Sequence, residues 1–118
     1  MAHTRFSARE IAPVREGVRV FELGGIFTSS PEAYEFLEDV REVLKTGDET
    51  IILDLAGVSH LASGGVGVLA ALFTAARDEN RTLRLAGSHE RLLAVMRVSR
   101  LLDVIPCHDT VEEAANAT

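Results

Sequence analysis

The run Asp54-Leu55-Ala56-Gly57-Val58-Ser59-His60-Leu61-Ala62-Ser63-Gly64-Gly65-Val66-Gly67-Val68-Leu69 concentrates the residues of this chain that are fit for chemistry. Ser63 is the centre of it. Residues 50–55 read as a strand, a turn and a short apolar return follow, and a helix then begins, so Ser63 falls at a helix start. There its hydroxyl lies beside the unpaired amides of Gly64, Gly65 and Val66. Those N–H groups and the positive end of the helix dipole favour an anion. A phosphoryl group on Ser63 adds about −1.5 to −2 charge at a place that tolerates it. The plainer alternative is that Ser63 is an N-capping serine and the glycines permit close packing. The spacing by itself leaves both open.

Other chemistries fit these residues worse. A serine hydrolase elbow has the form G-x-S-x-G, and Leu61 breaks it. His60, three residues from Ser63, is a poor general base without that turn, and Asp54 at a strand end is read as accepting backbone amides. The stretch Gly65-Val66-Gly67-Val68-Leu69-Ala70 fits the loose dinucleotide pattern, but no strand leads directly into it. No acid ends the following strand either, where Leu85-Ala86-Gly87 stands. G-K-[ST] is absent, which excludes a P-loop. His3, His60, His89 and His108 share no metal-ligand spacing, and the single Cys107 builds no structural zinc site. The expectation is therefore a binding protein without catalytic residues, metal or cofactor.

The elements that must position Ser63 follow from periodicity. Residues 6–14 and 18–23 form a hairpin about Arg15-Glu16-Gly17, with Pro13 placing the first strand at a sheet edge and Gly24-Gly25 ending the second. Ser30-Pro31-Glu32 opens a helix as N-cap, first position and first-turn acid. Ala33, Phe36, Leu37, Val40, Val43 and Leu44 then recur at helical spacing up to Gly47. Residues 50–55 are an almost continuous apolar run, as in a strand buried on both faces. A second helix over 64–78 puts Gly65, Val68, Leu69, Leu72, Phe73 and Ala76 on one face. A strand at 82–86 and a helix at 89–98 follow, the helix with Leu92, Leu93 and Met96 inward. A last strand at 102–106 and a short helix at 110–115, capped by Asp109 or Thr110, complete the chain. The order β-β-α-β-α-β-α-β-α predicts one α/β domain over 1–118, with a mixed four- to five-stranded sheet and about four helices. Its parallel neighbours are joined by right-handed crossovers.

Composition narrows the function classes. The chain has 118 residues, 47% of them hydrophobic, which suits one domain with a real core. Twelve basic against eighteen acidic residues give a net charge of −6. That balance argues against direct nucleic-acid binding and against docking on anionic lipid. One cysteine forms no internal disulfide and fits a reducing cytosol. Residues 1–5 lack the apolar core of a secretory signal, and the apolar stretch 66–76 is too short to span a bilayer. A cytoplasmic location with no membrane partner is expected. Glu32, Glu35, Glu38, Asp39 and Glu42 form an acidic helix face, ordinarily solvated, which also steers toward basic partners.

The run LDLAGVSHLASGGVGVL resembles the signature of the STAS domain, in the form carried by bacterial anti-sigma factor antagonists. Leu23-Gly24-Gly25, Thr82-Leu83-Arg84-Leu85, the stretch from Met96 to Ile105, and Thr110-Val111-Glu112-Glu113-Ala114 resemble further parts of that family in the same order. The resemblance implies a STAS-like fold. It places Ser63 on the family's phosphoacceptor serine, Gly65 on the glycine that follows, Asp54 on the strand aspartate and His60 on a partly buried aromatic position. It also implies two partners: an anti-sigma factor that is a serine kinase of the histidine-kinase-like ATPase type, and a metal-dependent PP2C-type phosphatase. The unphosphorylated antagonist binds the anti-sigma factor and frees the sigma factor; phosphorylation breaks the complex. The implied partner surface comprises Thr28, Ser29, Ala62, Gly64, Gly65 and Val66. This sequence departs from the family in having Ala62 for the acid before the serine, Gly64 for a second hydroxyl residue, and Thr28 for a loop acid. Gly64, a poor helix former, is expected to loosen the helix start. The alternative function is a phosphorylation-independent STAS interaction module in a stressosome-like or transport assembly.

Overall fold

The computed structural model describes residues 5–12, 15–47 and 50–117. Its strands are β1 (Ser7–Ile11), β2 (Val18–Phe27), β3 (Thr50–Leu61), β4 (Leu83–Ala86) and β5 (Cys107–His108). They lie in one sheet in the order β1-β2-β3-β4-β5. β1 and β2 are antiparallel, and the pairs β2/β3, β3/β4 and β4/β5 are parallel. The helices are α1 (Pro31–Thr46), α2 (Ser63–Asp78), α3 (Glu90–Val98) and α4 (Val111–Asn116), with a 3-10 turn at Leu101–Asp103. The mixed sheet, the four helices and their order agree with the expectation.

Because strand order never reverses, right-handed crossovers place α1, α2 and α3 on the same face. The main core lies there. It joins Phe36, Leu37, Val40 and Leu44 of α1, Val68, Leu69 and Leu72 of α2, and Leu92 and Met96 of α3 to Leu23, Phe27, Leu53, Leu55 and Leu85 of the sheet. The other face carries a smaller cluster of Val18, Val20, Ile52 and Ala86 under Ala114 and Ala115 of α4. The caps behave as their residue types require. Ser30 Oγ accepts the Ala33 amide at 3.2 Å at the start of α1, and Thr110 Oγ1 accepts the Glu113 amide at 3.1 Å at the start of α4. Thr110, rather than Asp109, is thus the cap of α4.

Several boundaries differ from the sequence reading. Gly24-Gly25 do not end β2, which continues to Phe27, and β3 runs on past Leu55 to Leu61. The register passes from Glu22↔Asp54 to Gly24↔Gly57, and from Gly25↔Val58 to Ile26↔His60, so β3 gains an extra residue at each shift. Such bulges bend a strand and hide its period, and Gly25 absorbs one of them at φ +80°. The supposed turn and apolar return is the bulged half of β3. In place of a strand at 102–106 there is the 3-10 turn, and β5 is two residues long. Leu101 and Ile105 are buried there as anchors of a loop. α2 begins at Ser63 and α3 at Glu90, each one residue away from its expected start, and Phe73 and Leu93 are half-buried. Pro13 lies outside the described residues.

Candidate functional site

β2 and β3 run parallel and end together, with Phe27 paired to Leu61. The chain leaving β2 therefore lies beside the chain entering α2. The Ala62 amide donates to the Phe27 carbonyl at 3.0 Å and locks the two exits together. This is the carboxyl edge of the parallel strands, where open α/β sheets present their sites.

The glycines fix how close the exits come. A β-carbon on Gly64 would lie 2.6 Å from the Ser29 nitrogen and 2.7 Å from Ser29 Oγ. One on Gly65 would lie 2.3 Å from the Phe27 carbonyl oxygen. Both positions exclude any side chain unless the 27–29 backbone moves. Gly64 thus seats the loop against α2 instead of loosening the helix, and a hydroxyl residue there has no room. Thr28, Ser29, Ala62, Ser63 and Gly64 form one continuous surface patch, whereas Gly65, expected at the partner surface, is buried beneath it against the Phe27 carbonyl. Val66, half-buried, packs against the core edge behind it.

Ser63 is exposed and occupies the first helical position of α2. It is not the N-cap. That position belongs to Ala62, whose backbone is extended (φ −94°, ψ 170°) and whose side chain accepts nothing. The Val66 amide is already used, donating to the Ala62 carbonyl at 3.0 Å, so it is not one of the unpaired donors. The first turn of α2 contains no acidic residue. The Ser63 hydroxyl thus stands at an uncapped positive helix end, with no carboxylate in that turn to oppose an incoming anion.

The other singled-out residues are held elsewhere. Asp54 Oδ1 accepts the Ala56 amide at 3.0 Å, as read from the sequence, and sits against Gly87, where a β-carbon would meet it at 2.7 Å. Gly87 has φ +74°, which only glycine adopts freely. His60 is exposed, not partly buried, and its Nδ1 lies 3.2 Å from Ser59 Oγ. Among the described residues no group of three His, Cys, Asp or Glu side chains is arranged to hold a metal.

Sequence reasoning missed one part of this surface. β4 ends at Ala86 opposite Asp54, so the bulged half of β3 continues without a β4 partner. The imidazole of His89, the N-cap residue of α3, meets the Val58 carbonyl at 3.1 Å and ties that half to the helix. Between them is an open, mainly apolar cavity of about 330 Å³ lined by Leu61, Ala62, Arg91, Leu92 and Val95. It adjoins Ser63 through Ala62. On the same side of α3, one turn beyond Val95, Val98 is 86% exposed.

Residues 11–114 match the model of the STAS domain family. The chain belongs to the STAS domain family. Similar solved structures include a putative anti-sigma factor antagonist from Thermotoga maritima, 19% identical, covering 93% of this chain and 91% of that one, with a TM-score of 0.75. The anti-sigma factor antagonist SpoIIAA in its unphosphorylated form is also 19% identical, covering 95% and 94%, with a TM-score of 0.74. A murine solute carrier 26 anion transporter is 14% identical over 96% of this chain and 22% of that one, with a TM-score of 0.76. At these identities the likeness is one of fold. This STAS domain has the α/β architecture read from its sequence, and no helix among its described residues is long and apolar enough to cross a membrane.

Proposed function

We propose that this STAS domain is an anti-sigma factor antagonist, with Ser63 as phosphoacceptor and the Thr28-Ser29 loop and α2 start as the partner surface. Its partner is an anti-sigma factor that is also a serine kinase of the histidine-kinase-like ATPase type, and a PP2C-type phosphatase reverses the modification. The exchange is cytoplasmic and involves neither membrane nor direct nucleic-acid contact. One observation carries the reading: Ser63 is an exposed hydroxyl at an uncapped helix N-terminus, flush with a smooth patch of small residues. A kinase reaches such a serine without unfolding anything. A partner surface laid on the same patch must cover it.

The switch follows from electrostatics. Unphosphorylated, the patch is neutral and its side chains are small, so a partner can approach closely. The cavity beside α3 extends the contact with an apolar floor at Leu61, Leu92 and Val95. A phosphate on Ser63 places about two negative charges at the centre. The helix N-terminus stabilises that charge in the free protein. Burial under a partner strips its hydration, and any facing carboxylate repels it. Phosphorylation therefore favours the free state.

Incubation with the cognate anti-sigma kinase, ATP and Mg²⁺, followed by intact mass and site mapping, tests this. One phosphate on Ser63, lost in Ser63→Ala, is the expected result; failure to form a complex or accept phosphate on Ser63 overturns it. The absence of acids at Ala62 and Thr28 favours a second reading, a phosphorylation-independent interaction module of a stressosome-like or transport assembly. Co-purification of the native protein with a scaffold or transporter, rather than an ATPase-type kinase, decides for it.

A further inference from the structure

The opposite edge of the molecule carries a surface that the Ser63 reading does not use. β1 is the outermost strand, and no other described element pairs with its outer edge. Its register with β2 is unbroken through five pairs, from Ser7↔Gly24 to Ile11↔Val20. An edge this regular is a template for another strand unless charges or a bulge blunt it. Its own charged side chains, though exposed, are paired to residues of β2. Arg9 pairs with Glu22, and Glu10 accepts two hydrogen bonds from Arg19 at 2.7 and 2.8 Å.

Above this edge lies a groove. Ala8 and Glu10 oppose the core residues Leu23 and Phe21, so they point to the face that carries α1. The flank of α1 overhangs them and leaves an open cavity of about 400 Å³ with Phe6 and Phe36 in its wall. Glu10, Glu32, Glu35 and Asp39 line it as well. Glu32 is paired with Arg5, but among the described residues Glu35 and Asp39 have no ion-pair partner. Glu35 and Asp39 are four residues apart on a helix, about 6 Å along its axis. Alternate side chains of a strand are spaced about 6.7 Å. Two basic side chains at i and i+2 of an added strand therefore match the two carboxylates.

We infer that the outer edge of β1 and the overhanging flank of α1 form a second docking surface, whose occupant is an extended segment of a partner protein with Lys or Arg at alternate positions. Backbone pairing to β1 supplies affinity, and Glu35 and Asp39 select the charge. A second copy of this chain is a poor occupant: each copy carries −6 and brings the same carboxylates to the same edge.

The test uses the whole domain and a short synthetic peptide alternating lysine with valine, followed by amide NMR and calorimetry. Binding with shifts and exchange protection at Ser7–Ile11 is expected. Glu35→Lys with Asp39→Lys, both exposed, should weaken it by about tenfold or more while leaving the thermal melt unchanged. A peptide N-methylated at every amide, which has no N–H to give on either edge, should not bind. Three results overturn the inference: no binding to the unaltered domain, equal binding to the charge-reversed variant, or equal binding of the N-methylated peptide. Protection of β1 in a peptide-free dimer also overturns it, since the edge then belongs to a second copy. None of these results depends on whether Ser63 accepts phosphate.

Discussion

Gly64 and Ser29 meet so closely that a β-carbon on Gly64 would lie 2.6 Å from the Ser29 backbone nitrogen and 2.8 Å from its β-carbon. The two residues lie far apart in sequence, yet each sets what the other can be. Gly64→Ser should destabilise the domain by about 1–3 kcal/mol, despite the better helix propensity of serine, because the loop must move. Ser29→Gly in the same chain removes two of the three close atoms and should recover part of that loss. Urea denaturation of the two single variants and the double variant measures the coupling; strict additivity would show that the contact does not constrain the site. Gly65→Ala should cost more than Gly64→Ala, because its nearest obstacle, the Phe27 carbonyl oxygen at 2.3 Å, is backbone and closer than the Ser29 nitrogen at 2.6 Å that faces Gly64.

An uncapped helix invites a gain. Ala62 already has the extended backbone of an N-cap and lacks only the acceptor. Ala62→Ser or Ala62→Asp should raise stability by about 1 kcal/mol, read as an increase in melting temperature. No change, or a loss, would mean that the first-turn amides are not accessible from that position.

The sequence made the core legible, but not the bend on which the site depends. Ala33, Phe36, Leu37, Val40, Val43 and Leu44 mark the inward stripe of α1 by period alone, and all are buried except Val43, which is half-buried. β3 defeats the same method because two bulges shift its phase between Asp54 and His60, turning a twelve-residue strand into what reads as a strand, a turn and a return. Ser63 was found because helix starts have local chemistry. The α3 flank of the surface was not, because it depends on β4 stopping short of β3, a tertiary fact with no local signature. Val98 offered the one hint: it falls outside the inward stripe of Leu92 and Met96 and is solvent-exposed.

That hint leads to a test of the proposed partner surface. Val95→Glu places a charge in the cavity beside Ser63 and should weaken binding to the anti-sigma partner about tenfold or more in calorimetry. Val98→Asp, at a fully solvated position, should change stability by less than about 0.5 kcal/mol. If both variants bind the partner as tightly as the parent, the contact stops at the α2 start.

Charge at position 63 should act oppositely on stability and on binding. Ser63→Asp puts a carboxylate at the first position of α2, where the helix dipole favours it by about 0.3–1 kcal/mol. The same substitution should weaken the partner complex, whereas Ser63→Ala should keep it, since the patch stays neutral. Loss of binding in both variants would assign the hydroxyl to recognition and remove the electrostatic switch.

At the sheet edge, Glu10 titrates below the ordinary glutamate range because Arg19 donates two hydrogen bonds to its carboxylate and lies close to it in charge. The sign follows directly. A carboxyl that is harder to protonate when folded stabilises the fold above its unfolded value, and this contribution is lost as pH falls through the lower folded one. Both side chains are about a third exposed, so solvent screening keeps the effect below about 1 kcal/mol. Chemical denaturation across the acid range should therefore show a small extra loss of stability below the usual glutamate pKa. Arg19→Gln should remove it by restoring an ordinary carboxyl. An unchanged acid limb in that variant would assign the loss to other carboxylates and leave the Glu10–Arg19 pair without a role in holding β1 to β2.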